Sequence, residues 1–276
     1  MKRSALEVLC CPRCRGALLL RDGSPSATAE TGSLSCGRCQ RDFPIEDGIP
    51  RFMRAEELTG LNRRFARFYD VFSHVYSPFS RLAFAFLGGE KKNRREVLDR
   101  LQPAGRRVLE VSIGPGVNLP FLIGAPGVEE VFGLDISLGQ LQRCRSYCRR
   151  RGWVVDLFLG MGEELPFRDE SFDSVLHIGG INFFSDKRRA MLEMVRVARP
   201  GARIVIADET ERGARGYEWL LPGFSRIFFD GRREPITAPV DLVPPEMEEV
   251  RAHTVWRGIG YCIEFRRPGG LPTNVR

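Results

Sequence analysis

The chain of 276 residues has no run approaching the ~18 consecutive apolar residues that a membrane-spanning helix needs. That absence argues against stable membrane insertion. We expect no secretory leader either: MKRSALEVLCCPRC starts basic, but its apolar stretch is short and soon interrupted. We expect a cytoplasmic protein. A glycine-rich helix start of the kind that holds a pyrophosphate is also lacking, which argues against a dinucleotide ligand. The apolar fraction of 43% and charged fraction of 28% are those of a globular chain, long enough for one large domain and one small one.

The net charge is +7, and arginine supplies most of it, in clusters at Lys91–Arg95 and Arg145–Gly152. Such patches attract RNA, an anionic membrane surface or an acidic ligand, or form a solvated helix face. We expect the solvated face, reading the aromatic interleaving of single-strand stacking as missing near these arginines.

Five of the eight cysteines fall in the first 39 residues. Cys11-Pro-Arg-Cys14 and Cys36-Gly-Arg-Cys39 are two CxxC knuckles. This spacing favours a metal over disulfides in a reducing compartment. Four thiolates are the donor set of tetrahedral zinc, with no open position, so the expected role is structural. Either Cys10 or Cys11 could ligate, but only Cys11 keeps the CxxC spacing. A module of about 50 residues buries little surface, so the metal would carry much of its folding energy. The polar segment 22–33 reads as the loop between knuckles.

Residues 55–102 show apolar side chains at helical spacing, including Leu58, Leu61, Phe65, Phe68 and Phe72, with a break at Pro78 and a last helix from Lys92 to Leu101. From Arg106 strand and helix alternate. Strands are expected at Arg107–Val111, Glu129–Asp135, Val154–Leu159, Phe172–Ile178 and Ala202–Ala207, with helices at Leu138–Arg151 and Lys187–Ala198. Glu248–Trp256 and Tyr261–Phe265 should close the sheet as a hairpin. The fold class is α/β: a doubly wound, mostly parallel seven-stranded sheet, preceded by a small zinc ribbon. The boundaries are 1–54 for the ribbon, 55–104 for connecting and lid helices, and 105–276 for the large domain, with a cap inserted at about 211–245. That insert is strongly apolar, with Trp219, Leu220, Leu221, Phe224, Ile227, Phe228 and Phe229.

Ligands of such sheets bind at the carboxyl ends of strands. Glu110 stands near the end of the first strand, followed by the turn Ser112-Ile-Gly114-Pro-Gly116. Asp135 ends the second, where a carboxylate can accept both hydroxyl protons of a ribose. An acid directly before the turn disfavours phosphate and favours a cation such as a sulfonium or ammonium.

LEVLCCPRCRGAL, CGRC and FPIEDGIP resemble the zinc ribbons of the small activator subunit of tRNA and ribosomal methyltransferases, which also occur fused ahead of bacterial methyltransferase domains. VLEVSIGPGVN, VFGLDIS, GMGEELPFRDESFDSV and MLEMVRVARPGARIVIADET resemble class I S-adenosylmethionine-dependent methyltransferases, nearest to the ubiquinone/menaquinone C-methyltransferase-like group. The resemblance covers Tyr69 to about Pro268.

It implies S-adenosylmethionine as cofactor and structural Zn2+ at Cys11, Cys14, Cys36 and Cys39. It also implies a cofactor site at Glu110, Ser112, Gly114, Gly116, Asn118, Asp135, Ile136, Met161, Gly162, Glu163 and His177. Ser112 departs from a glycine, Met161 stands where an acid often meets the adenine amine, and Ala202 replaces a glycine. The (N/D)PP(Y/F) sequence of many enzymes that methylate exocyclic amines is absent. His177, Tyr69 and Asn182 are weak catalytic candidates, and His177 fits packing beside the adenosyl group better. Cys144, Cys148 and Cys262 read as buried small residues rather than a metalloid site. The expected function is methyl transfer to a small, partly apolar acceptor. RNA base methylation is the alternative, and a non-catalytic cofactor-binding partner protein the third reading.

Overall fold

A computed structural model describes residues 1–21, 26–66, 70, 89–102, 105–213 and 236–269. The N-terminal module is a four-stranded antiparallel sheet in sequential order: β1 (Leu18–Arg21), β2 (Gly32–Cys36), β3 (Asp42–Glu46) and β4 (Ile49–Pro50). The inter-knuckle loop is therefore shorter than expected, because Gly32 and Ser33 already pair with Pro44 and Ile45.

The large sheet holds β5 (Arg107–Val111), β6 (Glu130–Asp135), β7 (Asp156–Leu159), β8 (Phe172–Ile178), β9 (Ala198–Glu209), β10 (Glu248–Val255) and β11 (Gly260–Arg266). Its spatial order is β10-β11-β9-β8-β5-β6-β7. The strands β7, β6, β5, β8 and β9 run parallel, and β11 and β10 close the sheet antiparallel. Strand order reverses between β5 and β8, which opens the ligand crevice of a doubly wound sheet there. β9 starts four residues before Ala202, because Ala198 pairs with Phe172 ahead of a register shift. The helices are α1 (Glu90–Leu101), the single turn α2 (Leu119–Leu122), α3 (Leu138–Arg151) and α4 (Lys187–Val197). In the connecting region, 55–57 is a 3-10 turn and 60–66 is helical.

Strand side chains alternate between faces, so each buried strand feeds two cores. Leu109, Val111, Phe132, Val175 and Ile204 join one core with α4 and the ribbon's Leu9, Phe43 and Phe52. Val108, Val131, Leu176 and Val205 join the other with α1, α2 and α3. Ser137 caps α3 by accepting from the Gln140 amide, and Asp186 caps α4 by accepting from that of Arg189.

The ribbon is built into the edge of the large sheet. Arg51 bridges Leu159 in parallel, Leu9 bridges Phe167, and the Cys10 amide donates to the Pro166 carbonyl at 3.0 Å. The Arg51 bridge, with the Phe52 amide donating to the Leu159 carbonyl, lies on the open edge of β7, and the other two contacts hold the segment at 166–167. No helix among the described residues is long and apolar enough to cross a membrane. The arginine cluster of α3 does carry aromatics, contrary to the sequence reading. Tyr147 and Trp153 meet edge to face at 5.4 Å, and the Arg151 guanidinium lies 5.6 and 5.7 Å from their centroids. Both rings are half-buried against their own helix end, a small local stack.

Candidate functional site

The two CxxC turns bring Cys11, Cys14, Cys36 and Cys39 together, all four sulfurs lying within 4.8 Å of one another. Cys11 and Cys39 are 3.6 Å apart and Cys14 and Cys36 3.5 Å. A tetrahedral ion with bonds of about 2.3 Å spaces its ligands about 3.8 Å apart, so the cluster fits a metal of zinc's size. Cys10 stays outside the cluster, buried at the seam with the large domain, and burial pushes its thiol up to about 11.

The second site lies at the carboxyl ends of β5 and β6. Gly114 and Gly116 both adopt left-handed backbone, with φ of +55° and +81°. At Gly116 a Cβ would sit 2.7 Å from both Cys144 Sγ and Leu119 Cδ1, so only glycine fits. Among the described residues, a Cβ at Gly114 would meet nothing within 4 Å, and the same holds at Gly179 and Gly180 beyond β8. Among those residues, the turn leaves open space at the ends of β5 and β8. Ser112 also has left-handed φ, +60°, where its side chain costs roughly 1–2 kcal/mol relative to an ordinary conformation.

Asp135 orders this turn. Its Oδ2 accepts from the Gly114 amide at 2.8 Å and its Oδ1 from the Ser137 amide at 2.9 Å. Each oxygen keeps lone-pair capacity for a hydroxyl. Burial pushes its carboxyl up to about 6, against three backbone hydrogen bonds that favour the charge, and Asp70 adds to the rise. The Asp70 carboxylate accepts from Ser137 Oγ at 2.5 Å and from the Gly139 amide at 3.1 Å.

Glu110 is fully buried. Its Oε1 accepts from Asn118 Nδ2 at 2.6 Å, and its Oε2 has no hydrogen-bond partner among the described residues. Burial pushes this carboxyl up to about 8, moderated by Asn118 and by the charge of Arg94. A buried, half-satisfied carboxyl beside an open glycine turn is a ready counter-group for a cation.

Ile136 is half-buried, and it lines a cavity of about 840 Å³ together with Leu138, Leu159 and the ribbon-side residues Phe52, Met53 and Arg54. Met161 and buried Gly162 follow the carboxyl end of β7. Glu163 is already engaged: its Oε1 accepts from Asn62 Nδ2 and the Ser185 amide, both at 3.0 Å. This carboxylate ties the helical stretch 60–66 to the start of α4, and Phe65 stacks on Phe183 at 4.1 Å beside it.

His177 is fully buried. Its Nδ1 lies 3.0 Å from the Val111 carbonyl, which fixes Nδ1–H as the donor and leaves Nε2 a lone pair without a partner. Burial lowers its pKa, against Asp208 and the Val111 carbonyl, and so favours the neutral ring. The Phe184 ring meets it at 5.2 Å. Asn182 donates to the Glu209 carbonyl at 3.1 Å and accepts from Tyr261 Oη at 3.4 Å, within the core. Tyr69, the other lid aromatics Phe68, Phe72 and Tyr76, and the insert's Trp219–Phe229 lie outside the described residues. Sequence reading missed Arg94, Asn62 and Asp70. The Glu90–Arg94 spacing of four is visible in the sequence, but nothing there says that Arg94 reaches Asn118.

The family described as "Methyltransferase domain" matches residues 109–206, and the family described as "Trm112p-like protein" matches residues 2–48. A phosphatidylethanolamine N-methyltransferase of Cereibacter sphaeroides is 31% identical over 145 residues, 52% of this chain and 70% of that protein. The chain belongs to the class I S-adenosylmethionine-dependent methyltransferases. A demethylmenaquinone methyltransferase of Renibacterium salmoninarum is 32% identical to this methyltransferase over 157 residues. That match spans 56% of the chain and 60% of the relative's own length. In fold, the methyltransferase is similar to a SAM-dependent methyltransferase of Thermotoga maritima, with TM-score 0.53 and 22% identity over 75% of this chain and 100% of that one. It is also similar to the [4+2]-cyclase SpnF, with TM-score 0.56 and 16% identity over 75% and 96% of the two chains.

Proposed function

We propose that the chain transfers the methyl group of S-adenosylmethionine to a small, partly apolar acceptor. The observation that carries the cofactor assignment is the pair of buried carboxylates around the open Gly114 turn. In this reading Asp135 takes the ribose hydroxyls, and Glu110 faces the cationic amino-acid end. Ser112, Gly114, Gly116 and Asn118 shape the turn, and Ile136, Met161 and Gly162 line the adenine side. Glu163 acts at one remove by fixing the loop after β7.

The cofactor supplies an electrophilic methyl group on a sulfonium; the chain's own residues bind, orient and exclude water. No general base is assigned. His177 is buried and meets the Phe184 ring edge to face, which supports a packing role beside the adenosyl group. Asn182 is held in the core by Glu209 and Tyr261.

The acceptor class rests on two supports. The relatives named for demethylmenaquinone and phosphatidylethanolamine point to apolar acceptors. Among the described residues, the space at Gly179 and Gly180 is close in sequence to the half-buried rings of Phe183 and Phe184 beyond β8. The four-thiol cluster is read as structural zinc, because four protein thiols close the coordination shell.

The test uses radiolabelled S-adenosylmethionine against lipid and quinone extracts and against RNA, side by side. Label in an organic-soluble product supports the proposal. Label in RNA alone, with affinity falling steeply as salt rises, would replace it. Asp135→Ala should abolish S-adenosylhomocysteine binding in calorimetry, and normal affinity would sink the ribose assignment.

A further inference from the structure

Glu110 is reached by a side-chain relay that starts on another element. Arg94 lies on α1 and is buried, 6% exposed. Its Nη1 donates to Asn118 Oδ1 at 2.8 Å, and its Nε and Nη2 bond Glu90 Oε1 at 3.0 and 2.9 Å. Asn118 sits directly before α2 and passes the link on, its Nδ2 donating to Glu110 Oε1 at 2.6 Å.

The direction of this chain is forced. A guanidinium only donates, so the Asn118 oxygen must face Arg94. The amide nitrogen must then face Glu110, whose Oε1 accepts. Both neighbours therefore select the same amide orientation, and Asn118 cannot flip without two donor–donor or acceptor–acceptor clashes. The outcome at Glu110 is a carboxyl with one oxygen held and the other unpartnered and buried.

We propose that Arg94 is a positioning residue for the cofactor: through Asn118 it aims Glu110 Oε2 at the cofactor's cationic amino-acid end and makes that carboxyl easier to deprotonate when the cation arrives. This rests on the cofactor reading of the turn. Other charged or titratable groups act on Glu110 as well. Asp135 on β6 and Cys144 on α3 lie close enough to feel its charge, and Asp70 stands beside Asp135. Among the described residues Arg94 is the cation of the set, and its charge opposes the burial that holds the proton on Glu110.

Glu110 must lose its proton to meet a cation. Removing the Arg94 charge raises its pKa, so cofactor binding should need a higher pH. The test is calorimetric binding of S-adenosylhomocysteine to the full chain from pH 6 to 10, for wild type, Arg94→Met and Arg94→Lys. We expect Arg94→Met to bind roughly tenfold more weakly at pH 7, the effect of about one pKa unit. The deficit should close toward pH 10, and Arg94→Lys should recover most of the wild-type profile.

Equal affinity at every pH, or a deficit of constant size across the range, would overturn the positioning role. A wild type that binds no S-adenosylhomocysteine at any pH would overturn the cofactor reading itself. Should Arg94→Met not fold, Asn118→Leu breaks the relay at its middle with Arg94 and Glu90 still paired. It must show the same upward shift of the binding midpoint, and an unshifted midpoint overturns the proposal.

Discussion

The Phe52 amide donates to the Leu159 carbonyl at 2.8 Å, so the last residues of the ribbon continue the hydrogen-bonding edge of the large sheet. The Phe52 ring lies 5.1 Å from Phe43 of the ribbon and 6.3 Å from Phe158 of β7. One side chain therefore joins the ribbon and the large sheet into a single core. Replacing Phe52 by Ala should cost about 3–5 kcal/mol, the range for a buried ring in a packed core. The wild type should unfold by urea in a single transition, and Phe52→Ala should shift its midpoint strongly or split it in two. A shift worth less than about 1 kcal/mol would mean that the ribbon packs independently.

Metal content separates Cys10 from Cys11. The Cys11 sulfur lies in the four-thiol cluster, whereas Cys10 sits apart in the core. Purified protein should hold about one zinc per chain, Cys10→Ser should keep it, and Cys14→Ser should lose it together with thermal stability. Full zinc in Cys14→Ser, or loss in Cys10→Ser, would reassign the ligands.

Much of this arrangement is legible along the chain, for a physical reason. Strand and helix periods are local, so Arg107–Val111 and Leu138–Arg151 are found at their observed bounds. CxxC spacing is local too, and it leads directly to the thiol cluster. What escapes is pairing between distant residues. Asn62 meets Glu163 across 101 positions, and Arg51 meets Leu159 at a sheet edge that no periodicity announces. The Arg94–Asn118–Glu110 relay hides for the same reason, since each member has an ordinary reading in its own segment. The α3 aromatics escaped differently: Tyr147 and Trp153 are plain in the sequence, and their stacking with Arg151 depends on where the helix ends, at Gly152.

Ser112 offers a cheap gain. It holds φ of +60°, where glycine is unstrained and serine is not. Ser112→Gly relieves that strain but loosens the unfolded chain, so the net gain should be about 0.5–1 kcal/mol. Urea unfolding of the two proteins measures it. Cofactor affinity should hold or tighten slightly. Destabilisation by Ser112→Gly would mean that the hydroxyl makes a bond worth more than the strain.

The raised pKa of Glu110 has a definite sign in both stability and binding. Burial lifts the carboxyl from its ordinary 4.5 to about 8, so the folded protein holds a proton that the unfolded chain releases. The corresponding stability is fully present below pH 4.5 and is lost as pH rises through 8. Cofactor-free protein should therefore become less stable between pH 5 and 8 through this group, and Glu110→Gln, with no proton to lose, should show a flatter profile over that window. Melting temperatures of both proteins across pH 5–9 decide it, and parallel profiles would remove Glu110 as the cause. Binding runs the other way. A cation beside Oε2 favours the carboxylate, so S-adenosylhomocysteine taken up at pH 7 should expel up to one proton from wild type and none from this site in Glu110→Gln. Calorimetry in two buffers of different ionisation enthalpy reads that proton directly. Uptake of a proton, or no linkage at all in wild type, would show that Glu110 does not meet the cationic end of the ligand.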